Sequence, residues 1–356
     1  MPRVVEVVAS GQPPVDVAPQ ALRSRRPITR WTGPAWLWLL LLLIVVVASL
    51  IAENFLSSRN LTNVLRQMIP LGIVAVGQTL VILIAGVDLA VAATISMANT
   101  ALMGIVAGEA SNVPLAIGVV LAAGLLIGLV NGLIIIATRV PALIVTLGTA
   151  SIITGIVFLY TDQTNFGKPA DVMTDVGFGS VGPIPILFFL YVFIAAAALI
   201  VQNRSAFGLH LFAVGGSEQV ARSSGVRVAR VQIIAYVACG FLAAVAGIAM
   251  SMRMGAGEPL SGVGFDWDSI AAVVLGGTAL TGGRGGVGGT IGGVAIISIL
   301  NNVMNLAGVS SFTQIVIKGV IVLIAVLLAV SVTRRAAVDF RDLTARFRAS
   351  GGEVTG

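Results

Sequence analysis

The chain has 356 residues, 57% of them hydrophobic and 10% charged, with a formal net charge of +6 and a mean hydropathy of +1.03. A soluble domain carries about 25% charge and has no core large enough to absorb this much apolar surface. Soluble-enzyme readings are therefore excluded, and the basic excess, which lies in tails and loops, reads as a positive-inside signal with no nucleic-acid partner.

Residues 1–34 form a long, Pro-rich stretch in which Arg23, Arg25, Arg26 and Arg30 precede the first apolar run. That run, AWLWLLLLLIVVVASLIA from Ala35 to Ala52, is too long for a cleaved leader and no small-residue cleavage site follows it. The stretch 1–34 is expected to be a mobile, basic, cytoplasmic tail, and the run a retained anchor. Further apolar segments follow at 68–85, 88–108, 114–137, 141–160, 184–202, 231–252, 268–282, 287–306 and 312–332. Hydrocarbon offers the backbone no water, so each crossing must satisfy its own hydrogen bonds, which a helix does. The expected fold is an all-α polytopic membrane protein with about ten transmembrane helices. Residues 35–332 are expected to make up the transmembrane domain, with the cytoplasmic loop 203–230 within it, and 333–356 a cytoplasmic tail. The segment 268–282 is short for a straight crossing of about 20 residues and is flanked by glycines, so it is expected to be broken, tilted or re-entrant. The 42 glycines suit close helix packing in lipid.

Loop charge sets the orientation. The N-terminal tail, the loop 203–230 with Arg204, Arg222, Arg227 and Arg230, and the tail beginning with Arg334 and Arg335 are basic and are placed inside. The loop 161–183, with Asp162, Asp171 and Asp175 against Lys168, is placed outside, as is Glu109, while Arg139 and Arg284 fall inside. The segment 53–67 departs mildly from the rule, with Arg59 and Arg66 against Glu53 on the outer side.

Few charges lie in the spans. Asp88 either caps the third helix, where its oxygen meets unpaired amides, or serves transport directly. Lys318, four residues after Gln314, either snorkels or pairs. The polar residues Gln78, Asn99, Asn131, Asn301, Asn302 and Gln314 lie within the apolar spans and are candidates for a polar translocation path. Interhelical hydrogen bonding is the competing reading for each. Cys239 stands alone and excludes an internal disulfide; His210 stands alone and excludes a histidine-rich metal site.

The loop 203–230 has more pattern than a linker. Gly215 and Gly216 allow a turn, Ser217 can cap a short helix with Glu218 in its first turn, Ala221 and Arg222 follow, and Gly225 can end it. A helix this short needs a surface to dock on: either a soluble partner or the lipid headgroups. The stretch VLGGTALTGGRGGVGGTIGG, Val274–Gly293, lacks the Lys-Ser or Lys-Thr ending of a phosphate-binding loop and has no strand context, so its glycines read as packing and turn residues. No catalytic triad, zinc spacing or paired-carboxylate site is apparent, and no enzymatic activity is expected.

These features together resemble the integral-membrane permease subunits of ATP-binding-cassette importers for monosaccharides, of the ribose, xylose and galactose type. The resemblance covers roughly residues 55–332. It rests on AVGGSEQVARSSGV at 213–226, GFDWDSIAAVVLGGTALTGGRGGVGGTIGG at 264–293, ILNNVMNLAGVSSFTQIVIKG at 299–319, VPALIVTLGT at 140–149 and GVDLAVA at 86–92. Ala90 and Ala92 stand where the family pattern usually has Ser and Gly, and Phe265–Asp268 where it usually has Tyr-Glu-Leu-Asp. The resemblance implies a permease of the bacterial inner membrane, with both termini cytoplasmic. It would pair with a second copy or a similar permease. Two cytoplasmic ATPase subunits, which would hold ATP and magnesium, are expected to couple at Gly215, Gly216, Ser217, Glu218, Ala221, Arg222 and Gly225. An external sugar-binding protein would deliver cargo. This chain is expected to hold no cofactor or metal. An ion-coupled secondary transporter of a small polar solute is the alternative, kept open by Asp88.

Overall fold

The computed structural model describes residues 35–161, 164–310, 313–317 and 319–320. The N-terminal tail, the C-terminal tail with Arg334 and Arg335, Asp162, Lys318 and most of the expected span 312–332 lie outside the described residues.

The main helices among the described residues are, in order, α1 (Ala35–Ile51), α2 (Ser58–Leu83), α3 (Ala90–Val106), α4 (Val113–Thr138), α5 (Ala142–Tyr160), α6 (Asp171–Phe178), α7 (Ile186–Arg204), α8 (Ala206–Gly216), α9 (Glu218–Ser223), α10 (Val228–Met254), α11 (Phe265–Leu275) and α12 (Val287–Leu306). The one sheet among the described residues is a small hairpin, β1 (Ser180–Val181) with β2 (Ile184–Pro185), turned at Gly182 and Pro183. Among the described residues six helices, α2, α4, α5, α7, α10 and α12, are long and apolar enough to cross a membrane. The other expected segments divide: α1 and α3 are apolar but shorter, and α11 has 11 residues. The count of about ten is thus not reached by long helices alone, because turns shorten several of the apolar runs.

Two boundaries differ from expectation. α2 begins at Ser58, ten residues before the expected start at 68, because Ser57 caps it by accepting from the Asn60 N–H at 3.3 Å. Arg59 and Arg66 therefore lie on a helix and not in a loop. α11 ends at Leu275, where Gly276 caps it, well short of 282.

Position in the bundle follows side-chain size. α2 and α10 pack on one another, and α10 also lies along α3 and α4. The α4–α10 seam is built on glycines of α4 at a four-residue spacing, Gly124 and Gly128 against Gly240 and Tyr236, and Gly132 against Ile233 and Tyr236. A Cβ at Gly128 would collide with the Tyr236 backbone and one at Gly240 with the Gly124 carbonyl, so only glycine permits this approach. The outer helices α4, α5 and α7 turn leucine, isoleucine and phenylalanine outward, including Leu126, Ile144, Leu159 and Phe193.

Among the described residues three non-helical passages between helices are held by buried polar side chains. Backbone away from water must find partners inside the protein. Between α2 and α3, the Leu89 N–H donates to Thr146 Oγ1 at 3.1 Å, and Ala90 N–H donates to Asp88 Oδ1 at 2.9 Å. Between α10 and α11, residues 255–264 lie along α3 from Met103 to Ala92. There Asn99 Oδ1 accepts from Glu258 N–H at 2.5 Å, Asn99 Nδ2 donates to Ala256 O at 3.3 Å, and Ser96 Oγ accepts from Gly262 N–H at 2.9 Å. Between α11 and α12, the glycine-rich turn is held by Gln202 Oε1, accepting from Val287 N–H at 2.8 Å, and by Thr278 Oγ1, accepting from Gly286 N–H at 3.0 Å. The segment around 268–282 is accordingly broken, with a half-length helix on one side and a glycine turn on the other.

Candidate functional site

Two ends of the bundle carry the candidate residues. At one end, α8 and α9 meet the turn after α2 and the glycine-rich turn. The Gly283 N–H donates to Leu83 O at 2.9 Å, and a Cβ at Gly215 would collide with Leu83 O and crowd Gly283 N. Gly282 and Gly283 have φ of +79° and +71°, a left-handed backbone that glycine adopts without strain. The two turns and α8 are therefore one packed unit. Gly216, by contrast, has nothing within 4 Å of an added Cβ.

From this unit α9 projects outward. Ser217 caps it by accepting from Val220 N–H at 3.3 Å. Glu218 and Arg222 pair at 2.7 Å across one turn, with side chains 52% and 69% exposed. Such a surface pair stabilises by only about 0.3–0.5 kcal/mol. Ala221 is buried beneath the helix, and Gly225, at φ +83°, ends the turn that follows it. Val220 is exposed. All seven coupling candidates thus fall on one short segment, in which Ala221 is buried and Gly215 packs against Leu83 and Gly283 while Gly216, Ser217, Glu218, Arg222 and Gly225 are exposed.

The six path candidates do not converge. Gln78 is fully buried and its amide, oriented to make both bonds, pairs with the Asp88 backbone, donating to O at 3.2 Å and accepting from N–H at 3.3 Å. Asn99 holds the 255–264 segment, as described above. Asn131 Oδ1 accepts from Thr149 Oγ1 at 2.6 Å, joining α4 to α5, while its Nδ2 is buried without a partner. Asn302 and Asn60 bond reciprocally at 2.8 and 2.9 Å, joining α12 to α2. Asn301 Oδ1 is buried without a partner. Gln314 Nε2 donates to Asn305 Oδ1 at 2.8 Å and Val309 O at 2.9 Å. Most of these residues satisfy backbone or tie helices together. Asp88 likewise accepts from the start of α3, the capping reading of that residue.

Sequence reasoning missed the polar wall at the opposite end. Asn60, Asn63, Arg66 and Gln67 on α2, Arg253 on α10, and Asn302, Asn305 and Leu306 on α12 line a cavity of about 340 Å³. The signal is a polar stripe with helical spacing, Asn60-Asn63-Gln67, hidden because residues 53–67 lie before the apolar run and have the composition of a loop. Among the described residues no group of three or more His, Cys, Asp or Glu side chains converges to hold a metal ion.

A bundle with several membrane-length helices, interrupted by non-helical passages and carrying a short helix off one end, defines an all-α, multi-pass membrane protein. Residues 60–328 match the family described as branched-chain amino acid transport system / permease component, and the chain belongs to that family. It is 37% identical over 317 residues to the ribose import permease protein RbsC of Escherichia coli, covering 86% of this chain and 97% of that one. It is 38% identical over 291 residues to the ribose import permease protein RbsC of Bacillus subtilis, covering 80% and 88%. It is 31% identical over 302 residues to the D-allose transport system permease protein AlsC of Escherichia coli, covering 84% and 91%. No solved structure matches the chain. As a permease component the chain is a transport component and not an enzyme.

Proposed function

We propose that the chain is the membrane-spanning subunit of an ATP-driven importer for monosaccharides or closely related solutes. Its role is to form the translocation path and to turn closure of a separate ATPase into alternating access. The observation that carries this reading is the near full-length likeness to ribose import permeases, together with the family match over residues 60–328. The geometry supports it: α9 is a short exposed helix whose base is locked to both turns, so a push on α9 reaches α2, α11 and α12 through Leu83, Gly215 and Gly283.

In this reading two cytoplasmic ATPase subunits, binding ATP and magnesium, dock on Gly215–Gly225, and a second permease copy or a similar permease completes the path. An external binding protein delivers cargo at the α2–α10–α12 end. Both termini are cytoplasmic and the membrane is the bacterial inner membrane. α1 and α3, each about 25 Å long at 1.5 Å per residue, complete crossings with modest local adjustment of the bilayer. With 312–332 and the broken α11 they bring the number of passages to about ten.

Reconstitution of the chain with its ATPase and binding protein tests this. Uptake into vesicles that requires ATP hydrolysis is the expected result. Uptake that follows a proton gradient without ATP overturns it.

A further inference from the structure

The cavity at the α2–α10–α12 end holds an unbalanced charge. Arg66 and Arg253 both line it, and both also line the narrower space beneath it with Pro70 and Leu187. Arg66 Nη2 donates to Phe178 O at 2.7 Å, its guanidinium stands 6.0 Å from the Phe178 ring centre, and its Nε is buried without a partner. Arg253 Nη1 reaches only the Met250 sulfur, at 4.0 Å. Glu218 and Arg222 pair at the other end, and among the described residues neither Arg66 nor Arg253 has a carboxylate within 4.0 Å.

Two cations in one partly enclosed space repel each other and lose hydration, and neither cost is offset by a protein carboxylate. An anion entering the cavity would offset both. The planar guanidinium fork matches a carboxylate through two parallel hydrogen bonds. Most of the rest of the wall is amide: Asn60 and Asn302 bond to each other, Asn63, Gln67 and Asn305 can donate to and accept from hydroxyl groups, and Leu306 adds one apolar side chain. The volume of about 340 Å³ lies at the small end of ligand sites, which run to about 1,000 Å³. It suits one sugar ring.

We propose that this pocket binds the carboxylate of an acidic monosaccharide, a uronate or an aldonate, through Arg66 and Arg253, with the amides engaging its hydroxyls. The proposal rests on the importer reading for the step that follows binding, but the binding itself is separable from it.

The test is calorimetric titration of the full chain in lipid nanodiscs at low ionic strength. The probes are D-galacturonate, D-glucuronate and D-gluconate, with D-galactose and D-glucose as neutral counterparts. At least one acid is expected to bind about tenfold or more tightly than its neutral counterpart, as a charge-assisted pair implies. Arg253→Gln and Arg66→Gln each remove that preference. Arg66→Lys keeps a cation and a donor for Phe178 O, so it retains part of the preference and separates loss of charge from loss of fold. Equal affinity for acid and neutral sugar, or no binding of any acid, overturns the proposal. So does acetate or inorganic phosphate competing as well as the sugar acid. If Arg253→Gln leaves acid binding intact and weakens only capture of the binding protein, the arginines meet a protein carboxylate and the proposal is likewise overturned. Failure of ATP-driven uptake would remove the importer reading and leave this binding result standing.

Discussion

α2 and α5 are both long, apolar helices, yet they sit in opposite environments. From Met68 to Leu83 every residue of α2 is buried, although α2 carries Gly72, Gly77, Gln78 and Thr79 along its length. α5 is the more uniformly apolar of the two, and it turns Ile144, Leu147 and Leu159 outward at 60%, 54% and 89% exposure. In water the more apolar helix would be the buried one. Lipid tails are as apolar as leucine, so burial here is won by small residues that let backbones approach and by polar residues that bond across helices.

The sharpest way to break this contrast is to add bulk to one glycine in a packed helix seam and to one on the exposed α5. Gly128→Leu on the α4–α10 seam is expected to prevent stable folding, because the backbone of Tyr236 stands where the side chain must go. That is more than the roughly 1–3 kcal/mol usual for overpacking. Gly155→Leu on α5, with nothing within 4 Å of its Cβ, should leave thermal stability in detergent near wild type. A comparable loss in both variants would show that α5 is packed against protein in the working assembly.

A smaller effect is expected from the buried amides. Asn60→Ala leaves Asn302 without its reciprocal partner and should cost about 1–2 kcal/mol. The double variant Asn60→Leu with Asn302→Leu should recover part of it, since replacing both partners avoids an unpaired amide. Thermal unfolding of the wild type, Asn60→Leu, Asn302→Leu and the double variant gives the cycle. If the double variant is worse than the sum of the singles, the amides do more than tie α2 to α12.

Next comes the glycine pair before α9. Gly215→Ala forces a methyl into Leu83 O and should lower ATP-driven uptake severalfold while membrane insertion persists. Gly216→Ala points into open space and should change uptake by less than about twofold. Parallel uptake and ATPase assays decide whether the difference lies in coupling. The smallest effect belongs to Glu218→Gln, which removes an exposed ion pair and should alter stability by no more than about 0.5 kcal/mol. Any larger effect on uptake than on stability would mark Glu218 as a contact for the ATPase.

Much of the fold was legible. Nine of the ten expected apolar segments coincide with α1, α2, α3, α4, α5, α7, α10, α11 and α12. Ser217 as a cap and Gly225 after α9 were readable from local chemistry alone, because capping and left-handed turns depend on a few adjacent atoms. The start of α2 was not legible, since Asn60, Asn63, Arg66 and Gln67 look like loop composition until the helix period is imposed on them. α8 was missed because an 11-residue apolar helix beside a charged loop has no length signal of its own.

The roles of the polar residues were the least legible part. Gln78 and Asn99 were chosen as path candidates for their chemistry, and tertiary structure instead makes them partners of non-helical backbone at Asp88 and Ala256–Glu258. The amino-acid sequence by itself determined that this chain crosses a bilayer many times, that the glycine-flanked segment around 268–282 is broken, and where α9 begins. Only the tertiary structure decided which helices stand at the centre and that Arg66 and Arg253, 187 positions apart, share one cavity. The physical reason is that a membrane helix is apolar on every side. Its hydropathy pattern therefore carries little information about which face meets lipid and which meets protein, and that choice is made by backbone approach and hydrogen bonding between helices distant in the chain.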